Sequence, residues 1–248
     1  MKKMLFLVLV VSVFVVNSAW ADYLVGSADI TRVNGYYGGR GGEFTLYNVN
    51  LTTAGYSSAT SNVLSSLGSS FQTFCLETDE YVLPPTHVEQ VWVNESGLTG
   101  SQAVYGGANS TTADPLDYRT AYLYTQFATD QLSGYAYTGT VGGLTRSQTA
   151  AALQRVIWAI EDEGGSDFAV NFMDTPLNSD QQVLANQWMT EAGAAGWTSI
   201  GNVRVLNLWS NTALTARQDM LYLVPVPGAA LLGFLGFGWA GLKLRKRV

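Results

Sequence analysis

Both ends of this chain are apolar segments flanked by basic residues, and together they constrain where everything between them can fold. At the amino end Lys2 and Lys3 precede an apolar run over 4–16, followed by Asn17-Ser18-Ala19-Trp20-Ala21. Ala19 and Ala21 make a small-residue cleavage site, so residues 1–21 read as a secretory signal and the mature chain is expected to start at Asp22. At the carboxyl end Val224-Pro225-Val226-Pro227-Gly228 leads into an apolar stretch over 229–242, closed by Lys243, Leu244, Arg245, Lys246 and Arg247. Counted from Val224, that stretch is just long enough to cross a bilayer as a single helix. The basic cluster then belongs on the cytoplasmic side, which leaves residues 22–223 outside. That span suits one substantial domain and is short for two.

The tail over 224–248 resembles the PEP-CTERM sorting signals of Gram-negative bacteria. In that family a Pro-x-Pro box, here Pro225 and Pro227, precedes a short apolar helix and a terminal basic cluster, here Lys243, Arg245, Lys246 and Arg247. Val226 stands where the usual pattern has Glu. The resemblance implies an exosortase-type enzyme as partner. It also implies a single-pass inner-membrane precursor, clipped near the box and left on the cell surface or in the extracellular matrix.

Charge narrows the partners of the domain between these signals. Its seven arginines stand against all 19 acidic residues of the chain, a formal charge of −12, so its surface repels nucleic acid and anionic lipid. No lysine occurs between residues 22 and 223. This removes the commonest side-chain nucleophile toward an activated acyl group, and it excludes Lys-Asn isopeptide cross-links. An acidic domain with few charges can also lack lysine for no chemical reason.

The pattern along the domain is α+β: a strand-rich first half, a helical middle and closing strands, with one transmembrane helix beyond. Strands are expected over 23–33, 43–49, 70–77 and 88–93, between Gly/Ser/Thr/Asn clusters. Gly38-Gly39-Arg40-Gly41-Gly42 reads as a turn, since no helix opening with Lys-Ser or Lys-Thr follows to make a phosphate cradle. A first helix is expected from Asp114 as N-cap and Pro115 to about Gln131. A second is capped by Ser147 and carries Ala150, Leu153, Val156, Ile157 and Ile160 on one face; a third runs from Ser179 to about Ala192. Strands over 202–209 and 220–224 close the domain, an arrangement unlike alternating parallel units.

Cys75 is the only cysteine of an exported chain, so it has no disulfide partner within its own molecule. It lies in Thr73-Phe74-Cys75-Leu76-Glu77, and a later helix carries Leu153-Gln154-Arg155-Val156-Ile157-Trp158. Together the two segments resemble the thioester domains of bacterial surface adhesins, which pair an aromatic-Cys segment with a later apolar-Gln-x-x-apolar-Trp segment. Val156 stands where that family usually has a small residue. The resemblance implies a covalent Cys75–Gln154 bond through which the protein attaches to a surface or matrix polymer. A thiolate that attacks the Gln154 amide carbon expels ammonia and leaves a thioester, given close positioning and a stabilised oxyanion. Gln154, Ile157 and Trp158 share one helical row, so Trp158 is expected to stand over the bond and exclude water.

Plainer readings stand beside this one. A lone cysteine is often a small buried hydrophobe, and Gln154 could be a surface amide beside a core tryptophan. The chain would then be a passive structural or carbohydrate-binding matrix component, its seven tryptophans and thirteen tyrosines offering rings for sugars. A single histidine, His87, leaves a Cys75–His87 hydrolase without a third group and excludes multi-histidine zinc sites. The run Glu161-Asp162-Glu163 with Asp167 offers oxygens to calcium but lacks EF-hand spacing, and a solvated acidic turn explains it more simply. The expectation is a protein that is not an enzyme, with no cofactor and no metal.

Overall fold

Period-2 alternation of apolar residues can place one face of a strand against a core. In a computed structural model, which describes residues 23–51, 70–78, 86–94, 102–103, 114–210 and 215–223, the chain opens with strands β1 (Tyr23–Thr31), β2 (Tyr37–Gly38), β3 (Gly41–Gly42) and β4 (Phe44–Leu51). Next come β5 (Ser70–Thr73), β6 (Thr86–Asn94), β7 (Gln102–Ala103) and β8 (Asp114–Pro115). Helix α1 (Tyr118–Ala128), the hairpin β9 (Thr140–Val141) and β10 (Leu144–Thr145), and helices α2 (Arg146–Ile160) and α3 (Ser179–Ala194) form the middle. Strands β11 (Val203–Ser210), β12 (Thr215–Ala216) and β13 (Met220–Leu223) end the described chain. The α+β reading stands. No helix among the described residues is long and apolar enough to cross a membrane. The signal segment 1–21 and the tail 224–248, with Pro225, Pro227, Lys243, Arg245, Lys246 and Arg247, lie outside those residues.

The main sheet is antiparallel and runs β11-β6-β1-β4-β5, with β12 and β13 both paired to β11 on its other edge. Just past β5 the chain meets β13: Leu221 N donates to Phe74 O (3.2 Å), Leu76 N donates to Asp219 O (3.0 Å), and Cys75 sits opposite Met220. The sheet therefore closes on itself where the segment after β5 meets β13, which pairs that part of its edge. Alternation then sorts the apolar residues into two cores. Ala28, Ile30, Phe44, Leu46, Phe71, Cys75, Leu206, Leu208, Met220 and Tyr222 fill the interior of the closed sheet. Phe74, Leu76, Val203, Val205 and Leu221 face outward against the helices.

The starts of two helices and the end of one strand depart most from the sequence reading. Asp114 and Pro115 are not a helix start: they pair with Gln102–Ala103 as a short strand, where proline is tolerated. Asp117 caps α1 instead, accepting from Arg119 N (2.7 Å) and pairing with the Arg119 guanidinium, and Asp130 in the left-handed region (φ 57°) follows the helix end. Thr145, not Ser147, caps α2, because Gln148 completes a reciprocal capping box with it. The regular strand expected over 70–77 stops at Thr73 and continues as a single pairing at Cys75.

Helix α2 is buried almost all round, from Thr149 to Trp158, rather than along one face. It is enclosed by α3, the β2–β3 hairpin and the sheet. That makes the fully buried Gln154 and Arg155 the residues that require an explanation, since buried polar groups must be partnered.

Candidate functional site

The site arises where two strands part. In the β4–β5 ladder Phe44 pairs with Thr73, so continued antiparallel register would set Cys75 opposite Gly42. Instead the chain before Phe44 turns away to form the β2–β3 hairpin, in which Tyr37 pairs with Gly42 and Gly38 with Gly41. Phe74 and Leu76 hydrogen-bond to Leu221 of β13 and to Asp219 just before it, so the N–H and C=O of Cys75 point to the opposite side, into the vacated ladder position. Gln154 fills it. Cys75 N donates to Gln154 Oε1 (3.2 Å), and Gln154 Nε2 donates to Cys75 O (2.8 Å).

The Gln154 amide therefore behaves as a one-residue strand neighbour, clamped on the main chain of the residue whose sulfur would attack it. The sulfur branches from the Cα between the two clamped groups. Cys75 is 3% exposed and Gln154 fully buried, so the pair is sealed from water. Burial pushes the Cys75 thiol well up from its ordinary range; the Arg32 guanidinium acts downward on it and the Glu77 carboxylate upward.

The roof is built from glycine. A Cβ at Gly41 would lie 2.7 Å from Gln154 Cγ and 3.2 Å from the Trp158 ring, so this position has no room for a side chain. Trp158, 2% exposed, shares the interior cluster with Cys75. Phe172 stands edge-on to it at 6.0 Å between centroids. The segment bearing Phe172 is held by Arg155, which donates to the carbonyls of Val170 and Thr175 (both 3.1 Å) and of Gly165 and Asp167 (both 2.9 Å). Gly39 (φ 59°) allows the hairpin tip to reach this segment, where a Cβ would overlap Asp174 O; the exposed Arg40–Asp174 ion pair (2.9 Å) joins them outside.

Two further groups fix the hairpin. Buried Glu43, just past β3, accepts from Arg146 (2.7 and 2.8 Å) and from the Tyr135 hydroxyl, which ties the hairpin to the start of α2. Arg32 continues the inward row of Ala28 and Ile30 past the end of β1. Its Nη2 donates to Gly39 O (3.1 Å) and Gly41 O (2.6 Å), and its guanidinium lies over the Tyr37 ring (3.8 Å) and the Phe44 ring (4.9 Å).

The residues singled out from sequence divide accordingly. Cys75 and Gln154, 79 positions apart, meet, and Trp158 packs into the same cluster. The acidic run is not simply a solvated turn: Glu163 is buried and accepts from Thr78 N (3.1 Å), and Glu161 accepts from Asp117 N (3.4 Å). Among the described residues no cluster of His, Cys, Asp and Glu could hold a metal. Nothing local in the sequence marks Arg32, Arg155 or Phe172 as part of this site, and Gly41 stands there only within a glycine run that reads as a turn. Compared with family models, curated proteins and solved structures, the chain matches none.

Proposed function

We propose that this chain is an exported surface protein that attaches covalently to a partner through a thioester between Cys75 and Gln154. The observation that carries the reading is the clamp of the Gln154 amide on both main-chain groups of Cys75. In the first step the Cys75 sulfur bonds to Gln154 Cδ, charge develops on Oε1, and the N–H of Cys75 already points at that oxygen. One such donor is worth about 10²–10³ in rate. The C–N bond then breaks, the thiol proton leaves with the nitrogen as ammonia, and the acyl group stays on sulfur. In the second step an amine of the partner adds to Cδ, the C–S bond breaks, and Cys75 regains its proton. Gln154 is left joined to the partner by an amide.

Burial under Gly41, Trp158 and Phe172 supports this chemistry, because a stored thioester lasts only while water is kept out. The end segments complete the proposal: export through the amino-terminal signal, sorting by an exosortase-type enzyme at the Pro225–Pro227 box, and display on the cell surface or in the matrix. The protein acts once on its partner and is no enzyme. Intact mass tests the central claim. The chain is expected one ammonia lighter than its sequence, and Cys75→Ala abolishes the deficit. Full mass with a thiol that alkylates without denaturation would refute the thioester and leave a passive matrix component.

A further inference from the structure

We propose that Arg32 is the positioning residue of this bond: one guanidinium both fastens the glycine hairpin over Gln154 and places a positive charge beside the Cys75–Gln154 pair. The inference rests on the thioester reading and goes beyond it. Three observations converge on this side chain. Through the carbonyls of Gly39 and Gly41, Arg32 fixes the backbone that packs against Gln154 and Trp158. Its Nε is buried and meets no hydrogen-bond acceptor among the described residues, which is costly unless negative charge develops nearby. It is also the cation that acts on the buried thiol, where Glu77 is the opposing charge.

A buried thiol ionises poorly, and both steps pass through a sulfur that carries negative charge. In bond formation the thiol gives up its proton, which ends on the departing ammonia. In transfer to an amine the sulfur leaves as thiolate before it takes the amine's proton. A fixed guanidinium favours the charged sulfur in each step. Because the same group holds the hairpin carbonyls, charge and roof arrive together: the sulfur is activated only when the cover that excludes water is in place.

The test follows ammonia loss by intact mass as the denatured full chain refolds, over a range of pH, in wild type, Arg32→Lys and Arg32→Gln. Loss of the charge in Arg32→Gln is expected to slow bond formation about tenfold or more and to move its rise with pH upward by about a unit or more. Arg32→Lys keeps the charge and retains most of the rate, although it holds the hairpin carbonyls less well. Methylamine cleavage of the preformed bond should rank the variants in the same order. Equal rates and pH profiles in wild type and Arg32→Gln would overturn the role of the charge. So would equal slowing in both variants alongside equal loss of melting temperature, since a mere strap behaves that way. Should Arg32→Gln not refold, a pH profile for Arg32→Lys displaced upward from wild type by about a unit or more, although the charge is kept, is the refuting result. A wild type that never loses ammonia refutes the thioester itself, so the two failures are distinct.

Discussion

Cys75→Ala has a stability consequence that depends on whether the covalent bond exists. A bond between positions 79 apart closes a long loop in the unfolded chain. By the loop-entropy relation used for disulfides, such a closure stabilises the fold by about 4.5 kcal/mol. Removing the buried sulfur costs about 1 kcal/mol more, as one methylene-sized group in a packed core. In Cys75→Ala the hydrogen-bond clamp can form, because it uses the main chain of residue 75 and the intact Gln154 amide. The expected cost is therefore about 5 kcal/mol with the thioester, but about 1 kcal/mol without it. For a domain of this size each kcal/mol moves the melting temperature by about 2–4 °C, so the two cases predict drops of about 10–20 °C or about 2–4 °C. Thermal melts by circular dichroism or calorimetry separate these readily. Hydroxylamine, which cleaves thioesters, should bring wild type down towards Cys75→Ala while leaving the variant unchanged. A variant that melts within about 5 °C of wild type, with no hydroxylamine effect, would refute the cross-link.

Two other substitutions probe the roof. Gly41→Ala places a Cβ 2.7 Å from Gln154 Cγ, an overpacking worth about 1–3 kcal/mol that lifts the amide from Cys75. Most of that chain should keep its ammonia by intact mass while still showing a cooperative melt; a full mass deficit would show that the hairpin does not press on the site. Arg155→Met removes the donors to four carbonyls, about 3–5 kcal/mol if several remain buried and unmet, and frees the segment that holds Phe172 against Trp158. Its thioester should hydrolyse faster at neutral pH, with earlier proteolytic nicking over 165–175; an unchanged half-life would remove Phe172 from the water-excluding shell.

Local chemistry was legible wherever a rule acts over a few residues. The strand pattern, the three helices and the start of α3 at Ser179 follow from periodicity and short-range capping signals. The same rules misplaced the start of α1, because Asp114-Pro115 looks like a cap until β7 arrives from elsewhere in the chain to pair with it. They placed Ser147 before α2 although Thr145 with Gln148 makes the complete box. They also gave α2 one apolar face, because Ala151 and Ala152 lie off the row of Ala150, Leu153 and Ile157 and because Gln154 and Arg155 are polar.

The sequence by itself determined that an unpaired cysteine and a helical glutamine followed by tryptophan belong to one α+β domain. Periodicity and residue type carry that much. Only the tertiary structure decided that they touch. The vacancy beside Cys75 exists because β4 gives way to a glycine hairpin on one side while β13 takes up Phe74 and Leu76 on the other. Gln154 can enter it because Glu43–Arg146 fixes α2 against that hairpin. Arg32 reaches the same place from the end of β1, carried by the inward row that the closed sheet creates. Each of these contacts joins residues far apart in the chain, and hydrophobic periodicity, being local, contains no information about which distant strand leaves a ladder position open.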